Sequence, residues 1–264
     1  MFNRFFSFGC SWTKWFWPTW SDIIAKDLDI QYENWGRAGS GNQGIQSKFV
    51  EANNINNFID TDLVLLQWSG WNREDRFNNG WNFGGNIFNN PYYNIKFIKR
   101  YWTYDNDIIK NSVAIQTTND AYGKIIDYQF SFAFPLDRTH IPNNEYDDWV
   151  VDNYTTNRTN NIINGYYKHL PNIDVPVFTN TRFKERCMDS HPDVMYHLDI
   201  VEKLIYPKIF KNNNVKQETK DFFTDYYNDL SNALSPNDSW EMMENKSQAM
   251  NAMYNLDLKI HYGI

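Results

Sequence analysis

The feature that most restricts how this chain can fold is an alternation near its start: strand, glycine turn, helix, strand, glycine-rich turn, helix, strand. Arg4 to Phe8 is a short aromatic strand, and the turn Gly9 to Thr13 follows it directly. Pro18 suits the first turn of a helix through Trp20, Ile23, Ile24 and Asp27, where its missing N–H costs nothing. Ile30 to Asn34 reads as a second strand, and a segment with Gly36, Gly39, Gly41 and Gly44 leads into a helix over Ile45 to Phe58. Leu63 to Gln67 is a continuous apolar run of the kind buried on both faces of a parallel sheet. Strands separated by helices need crossover connections, so the expected class is α/β with a mostly parallel central sheet.

Past that point the pattern loosens. Arg73 to Asn90 is dense in Asn, Gly, Trp and Phe without a clear period and reads as a long loop or small insertion, a kind of segment that is often functional. Pro91 to Ile126 has helical character, Tyr128 to Phe134 alternates like a strand, and Pro135 to Asn172 is a second polar, aromatic-rich insertion. Val175 to Phe178 reads as a last short strand. His197 to Phe210 reads as a helix with Leu198, Val201, Leu204 and Ile205 on one face. A chain of 264 residues fits one large domain over residues 1–210, with insertions near 73–90 and 135–172, and a helical appendage over 211–264.

The net charge of −7 argues against nucleic acid as the main partner, and aromatics at 18 % rule out a disordered chain. The mean hydropathy of −0.67 mostly reflects abundant Asn. Sequons at Asn153, Asn157, Asn237 and Asn245 are what such a chain yields by chance. Two cysteines, Cys10 and Cys187, make neither a disulfide framework nor a four-thiolate zinc site, so the expected compartment is the reduced cytoplasm. No run approaches eighteen apolar residues and Met1 to Phe8 is no signal segment, so neither membrane insertion nor ordinary secretion is expected.

Four turns carry chemistry. Gly9-Cys10-Ser11-Trp12-Thr13 puts a serine after the first strand and beside a helix start, where backbone N–H groups can stabilise a developing oxyanion; the same pattern also suits a serine that caps a helix. Asn34-Trp35-Gly36-Arg37-Ala38-Gly39 follows the second strand, and its glycines let a main-chain N–H such as that of Gly39 approach a ligand. It lacks the order of a dinucleotide fingerprint, and no phosphate-loop motif occurs, which disfavours nucleotide binding. Gln67-Trp68-Ser69-Gly70-Trp71-Asn72 ends the third strand with an amide that suits the same oxyanion. Asp189-Ser190-His191-Pro192 precedes the last helix of the core domain with an imidazole base and a carboxylate to hold its tautomer.

In this order the four turns resemble the SGNH (GDSL-like) hydrolase superfamily, whose blocks read Gly-Asp-Ser, Asn-x-Gly-x-x-Gly, Gly-x-Asn-Asp and Asp-x-x-His. The resemblance covers roughly residues 1–72 and 175–210. It implies a flavodoxin-like three-layer α/β/α sandwich and hydrolysis of esters, often O-acetyl groups on carbohydrates, or lipid and thioester substrates, with no cofactor and no metal. Carried onto this chain, it makes Ser11 the nucleophile, His191 the base and Asp189 the group that orients it. The Ser11 N–H, Gly39 N–H and Asn72 amide would form the oxyanion hole. The short N-terminus, the Gly-Cys-Ser turn and the Asn-rich insertions also resemble SGNH-like proteins of marine phages, which would place the chain in a host cytoplasm or a virion.

The departures matter. Cys10 stands where Asp is usual before the serine, and Arg73 stands where Asp usually follows Asn72, with Ser69 as the substitute donor. Asp189 precedes His191 by two residues rather than three, so Asp193 or a backbone carbonyl is the alternative partner. Three rival readings exist: Cys10 as a thiolate nucleophile, a metal held by His191, Asp193 and His197, and a non-catalytic viral or glycan-binding module. The last would use Trp68, Trp71, Trp81, Phe83, Trp102 and Trp149 as stacking surfaces, although core packing is the simpler role for each. The tail acids Glu218, Asp221, Asp225, Asp229, Asp238, Glu241 and Glu244 read as a solvated helical face, and Phe222, Phe223, Tyr226 and Tyr227 as an oligomer contact at most. The acyl group, the alcohol and the oligomeric state are not legible.

Overall fold

The first strand, β1 (Arg4–Phe8), sends Phe5 to one face of a sheet and Phe6 and Phe8 to the other, and all three rings are buried. The computed structural model describes residues 2–70, 72–77, 81–87, 93–131, 189, 191–211 and 214–256. Among these residues the main sheet has four strands, β1, β2 (Gln31–Asn34), β3 (Asp62–Trp68) and β6 (Tyr128–Ser131), in the order β2-β1-β3-β6. Every pairing is parallel. Arg4 lies opposite Asp62 in the register, and its guanidinium grips that carboxylate in a fork at 2.8 and 2.6 Å, a geometry suited to fixing two strands against slippage.

All seven residues of β3 are buried, as expected of a strand covered on both faces. Leu63 and Leu65 join Phe5 in one hydrophobic cluster, and Val64, Leu66 and Trp68 join Phe6 and Phe8 in another. Helix α1 (Trp20–Leu28) adds Trp20, Ile23 and Ile24 to the first cluster. Helix α2 (Asn42–Asn56) adds Ile45, Phe49 and Ala52 to the second, with Ile98 of α3 (Ile95–Tyr101) and Ile115 of α4 (Tyr104–Tyr122). The helix expected from Pro18 begins two residues later, with Thr19 as its N-cap.

Three stretches differ from the sequence reading. Within Arg73 to Asn90 lies an antiparallel hairpin, β4 (Arg73–Phe77) and β5 (Trp81–Asn86), which the lack of alternation concealed. The helix expected to begin at His197 begins at Val194: α5 (Val194–Ile200) runs through a π-helical turn at Val201–Ile205 into α6 (Tyr206–Ile209). The segment read as an appendage is helical, as α7 (Gln217–Ala233) and α8 (Trp240–Met253), but Phe223, Tyr226, Leu230 and Met243 are buried in the first cluster. Phe223 and Tyr226 therefore serve the core rather than an oligomer contact. The reading of Val175 to Phe178 as a strand and of Pro135 to Asn172 as an insertion lies outside the described residues. No helix among the described residues is long and apolar enough to cross a membrane.

One buried acid gives the fold a pH signature. Asp107, 3 % exposed, accepts a 2.6 Å bond from the Trp102 indole N–H, with the Lys110 ammonium 3.9 Å away. Burial pushes its carboxyl up to about 7, outweighing Lys110 and the indole. The folded state therefore keeps this proton to higher pH than the unfolded chain, and stability falls as pH rises from the ordinary carboxyl range through 7. Asp107→Asn is expected to raise stability at pH 8.5 by on the order of 2 kcal/mol while leaving it unchanged near pH 3.5. Thermal melts at the two values check this; Lys110 also has Glu74 at 2.8 Å, so the substitution does not strip it of its only carboxylate.

Candidate active site

Because β1, β2 and β3 are parallel, the turns after their carboxyl ends gather along one edge of the sheet, the edge where open α/β sheets bind ligands. The turn after β1 is held from several directions. The Gln67 amide oxygen, at the end of β3, accepts from the Thr13 hydroxyl at 2.9 Å and from the Cys10 thiol at 3.5 Å. The Thr13 carbonyl accepts from the Thr19 hydroxyl at 2.6 Å, the Ser21 hydroxyl at 2.9 Å and the Asn34 amide at 2.8 Å. Asn34 thus ties the second block to the first, and its own oxygen accepts from the Gly36 N–H at 2.9 Å. Ser11 sits inside this network and is buried.

The glycine loop is fixed by the hairpin. Helix α2 has Gly41 at its N-cap and no capping side chain of its own. Asp75 of β4 takes that role, accepting from the Gly41 and Gly44 N–H groups at 2.8 Å each. Gly39 has φ +82, a conformation that suits glycine, and its carbonyl accepts from Gly85 at 3.1 Å. Among the described residues neither the Ser11 nor the Gly39 N–H donates a hydrogen bond.

Asp189 and His191 are in contact. Asp189 Oδ1 lies 2.7 Å from His191 Nδ1 and accepts from the His191 backbone N–H at 2.9 Å. A two-residue spacing therefore suffices for one carboxylate oxygen to meet both the ring and the main chain of the same histidine. Asp189 Oδ2 accepts from the Trp15 indole N–H at 2.7 Å. Burial pushes the Asp189 carboxyl up, but the His191 ring and N–H and the Trp15 N–H together hold it below the usual carboxylate range. The Trp15 ring lies on the His191 ring with centroids 3.6 Å apart, and the Trp17 indole donates to the Pro192 carbonyl at 2.8 Å.

Trp15 and Trp17 follow Ser11 closely in the chain, so the same segment that carries the hydroxyl also holds the imidazole. Trp12 meets Tyr196 of α5 edge-on at 6.3 Å, a further tie between the two turns. The C-terminal helices brace this segment: the Asn251 amide donates to the Phe16 carbonyl at 3.0 Å, and Trp240 stands edge-on to Trp15 at 5.9 Å. Among the described residues no hydrogen bond joins Ser11 to His191. Asn72 lies between β3 and β4 with its carbonyl accepting from Ile87 at 2.9 Å. Ser69 is held through its backbone by Asn42, at 2.7 and 3.1 Å, while its buried hydroxyl has no partner among the described residues.

The alternatives raised by the sequence find other roles. Asp193 caps α5, accepting from the Tyr196 N–H at 2.8 Å, and so is not the partner of His191. His197 is buried, and burial, then the nearby His191, push its imidazole down to about 3, which keeps it neutral. Cys10 is buried against Gln67. Trp68 and Trp102 are core residues whose indole N–H groups bond Gln129 and Asp107 at 2.9 and 2.6 Å, which removes them as stacking surfaces. Trp71 and Trp149 lie outside the described residues, as do the side chains of Trp81 and Phe83. Sequence reasoning missed Trp15, Trp17 and Asp75; the dense run Trp15-Phe16-Trp17 beside the candidate serine was the one available signal. Compared with known proteins, the chain matches no protein-family model and no curated sequence.

Proposed function

We propose that this chain is a serine hydrolase of the SGNH (GDSL-like) type that cleaves an ester, such as an O-acetyl group on a carbohydrate, through an acyl-enzyme on Ser11. The observation that carries the reading is the Asp189–His191 pair, held at 2.7 Å and tied to the segment that follows Ser11 by the Trp15 indole on Asp189 and the Trp17 indole on the neighbouring Pro192 carbonyl. A parallel sheet with hydrophobic clusters on both faces supports the flavodoxin-like three-layer arrangement that the reading implies. In the reaction, neutral His191 takes the Ser11 proton as the hydroxyl oxygen attacks the ester carbonyl. The Ser11 and Gly39 N–H groups and the Asn72 amide hold the oxyanion. The imidazolium, steadied by Asp189, returns its proton to the departing alkoxide. Water then attacks the acyl-enzyme, losing a proton to His191, and the acid leaves as Ser11 is reprotonated.

Native protein and Ser11→Ala, assayed side by side on p-nitrophenyl esters and acetylated sugars, test this. Turnover by the native protein and a loss of about 10³-fold or more in the variant are expected, together with labelling of Ser11 by an organophosphonate. Equal turnover by the two proteins, or no ester cleaved by the native one, would overturn it.

A further inference from the structure

We propose that Trp15 is a positioning residue that locks the Asp189–His191 pair in its working orientation, its indole N–H fixing the carboxylate and its ring face fixing the imidazole. The inference rests on the hydrolase reading for its catalytic meaning, but its geometry stands separately. A tryptophan that merely fills a core needs no particular tilt. Trp15 meets His191 at a centroid distance of 3.6 Å with 21° between the planes, closer than the other ring pairs of the described residues. The same indole donates to Asp189 Oδ2 at 2.7 Å, leaving Oδ1 for the imidazole. One side chain therefore restrains both members of the pair, and neither swings without breaking a contact to it.

Trp15 is itself restrained. Phe16 stacks at 4.7 Å, while Trp17 and Trp240 stand edge-on at 6.3 and 5.9 Å. The orientation has a use. When His191 takes a proton from Ser11 it becomes cationic, and an indole face attracts a cation laid against it. Misplacing a base by about an ångström costs on the order of 10²-fold in rate, so the benefit of the lock falls on the chemical step rather than on substrate binding.

Two variants separate the two contacts. Trp15→Phe keeps a ring against His191 and loses the N–H donor; Trp15→Leu loses both. Their kcat is expected to fall about 10-fold and about 100-fold respectively, with KM unchanged. Histidine-ring NMR spectra without substrate, with His191 assigned through His191→Gln, give a readout independent of activity. In the native protein the His191 carbon-bound ring protons are expected upfield, under the Trp15 ring current. The shift should persist in part in the Phe variant and vanish in the Leu variant, with thermal melts of both recorded to guard against a folding defect. An upfield shift that survives Trp15→Leu, or a Leu variant with native kcat, overturns the proposal. If the native protein cleaves no ester, the hydrolase reading fails, and the ring-proton shifts alone decide whether Trp15 orients the pair.

Discussion

Replacing Asp189 by Asn is expected to lower ester turnover by about 10⁴-fold while leaving the fold intact. The carboxylate receives three donors, the His191 ring, the His191 N–H and the Trp15 indole. An Asn side chain offers one acceptor oxygen and an NH₂ group. If its oxygen stays with Trp15, its NH₂ takes the place of Oδ1, faces His191 Nδ1 and holds that nitrogen unprotonated. The ring proton then sits on Nε2, the nitrogen that must take the proton of Ser11, and the base is blocked. Volume and most packing are unchanged, so the melting temperature should move by only a few degrees while kcat collapses. Steady-state kinetics beside a thermal melt check this, and turnover within 10-fold of native would assign the orienting role to another group.

The second large effect is structural. An alanine Cβ at position 9 would lie 1.9 Å from the Thr13 hydroxyl and 2.8 Å from the Gln67 amide oxygen, both inside the hydrogen-bonded core of the first turn. Something must move, and the nearest movable group is Thr13, whose hydroxyl bonds Gln67 and whose carbonyl collects three donors. Gly9→Ala is expected to cost roughly 3 kcal/mol and to abolish turnover by displacing the turn that carries Ser11. Adding Thr13→Ala removes the clashing oxygen and should recover part of the stability, so the two substitutions are non-additive. Strictly additive losses in denaturant unfolding would show that the crowding is relieved elsewhere.

The readability of the fold followed how local each cause was. The strand at Leu63 was legible because a strand buried on both faces needs a continuous apolar run, which Leu63 to Leu66 supply, and the strand at Arg4 because Phe5, Phe6 and Phe8 make it densely aromatic around Ser7. The start of α2 was misplaced by three residues because its cap, Asp75, comes from a different element. The hairpin lacks alternation, so periodicity could not reveal it. For α7 a signal did exist: Thr219, Phe223, Tyr226 and Leu230 recur at helical spacing and are all buried. At the candidate site, Ser11, Asp189 and His191 stood out by residue type. Trp15 did not, because its meaning depends on a carboxylate 174 positions away.

The convergence of three donors on the Thr13 carbonyl has a consequence for what can adapt during binding. Those donors come from the lead-in to α1, from α1 itself and from β2, so rotating that peptide would break all three bonds at once. On the proposed hydrolase reading, the turn that carries Ser11 is accordingly stiff, set in its final shape before any ester arrives. Guests of differing bulk must be accommodated by other walls, and selection for new preferences would leave residues 9 to 13 alone and work elsewhere in the chain.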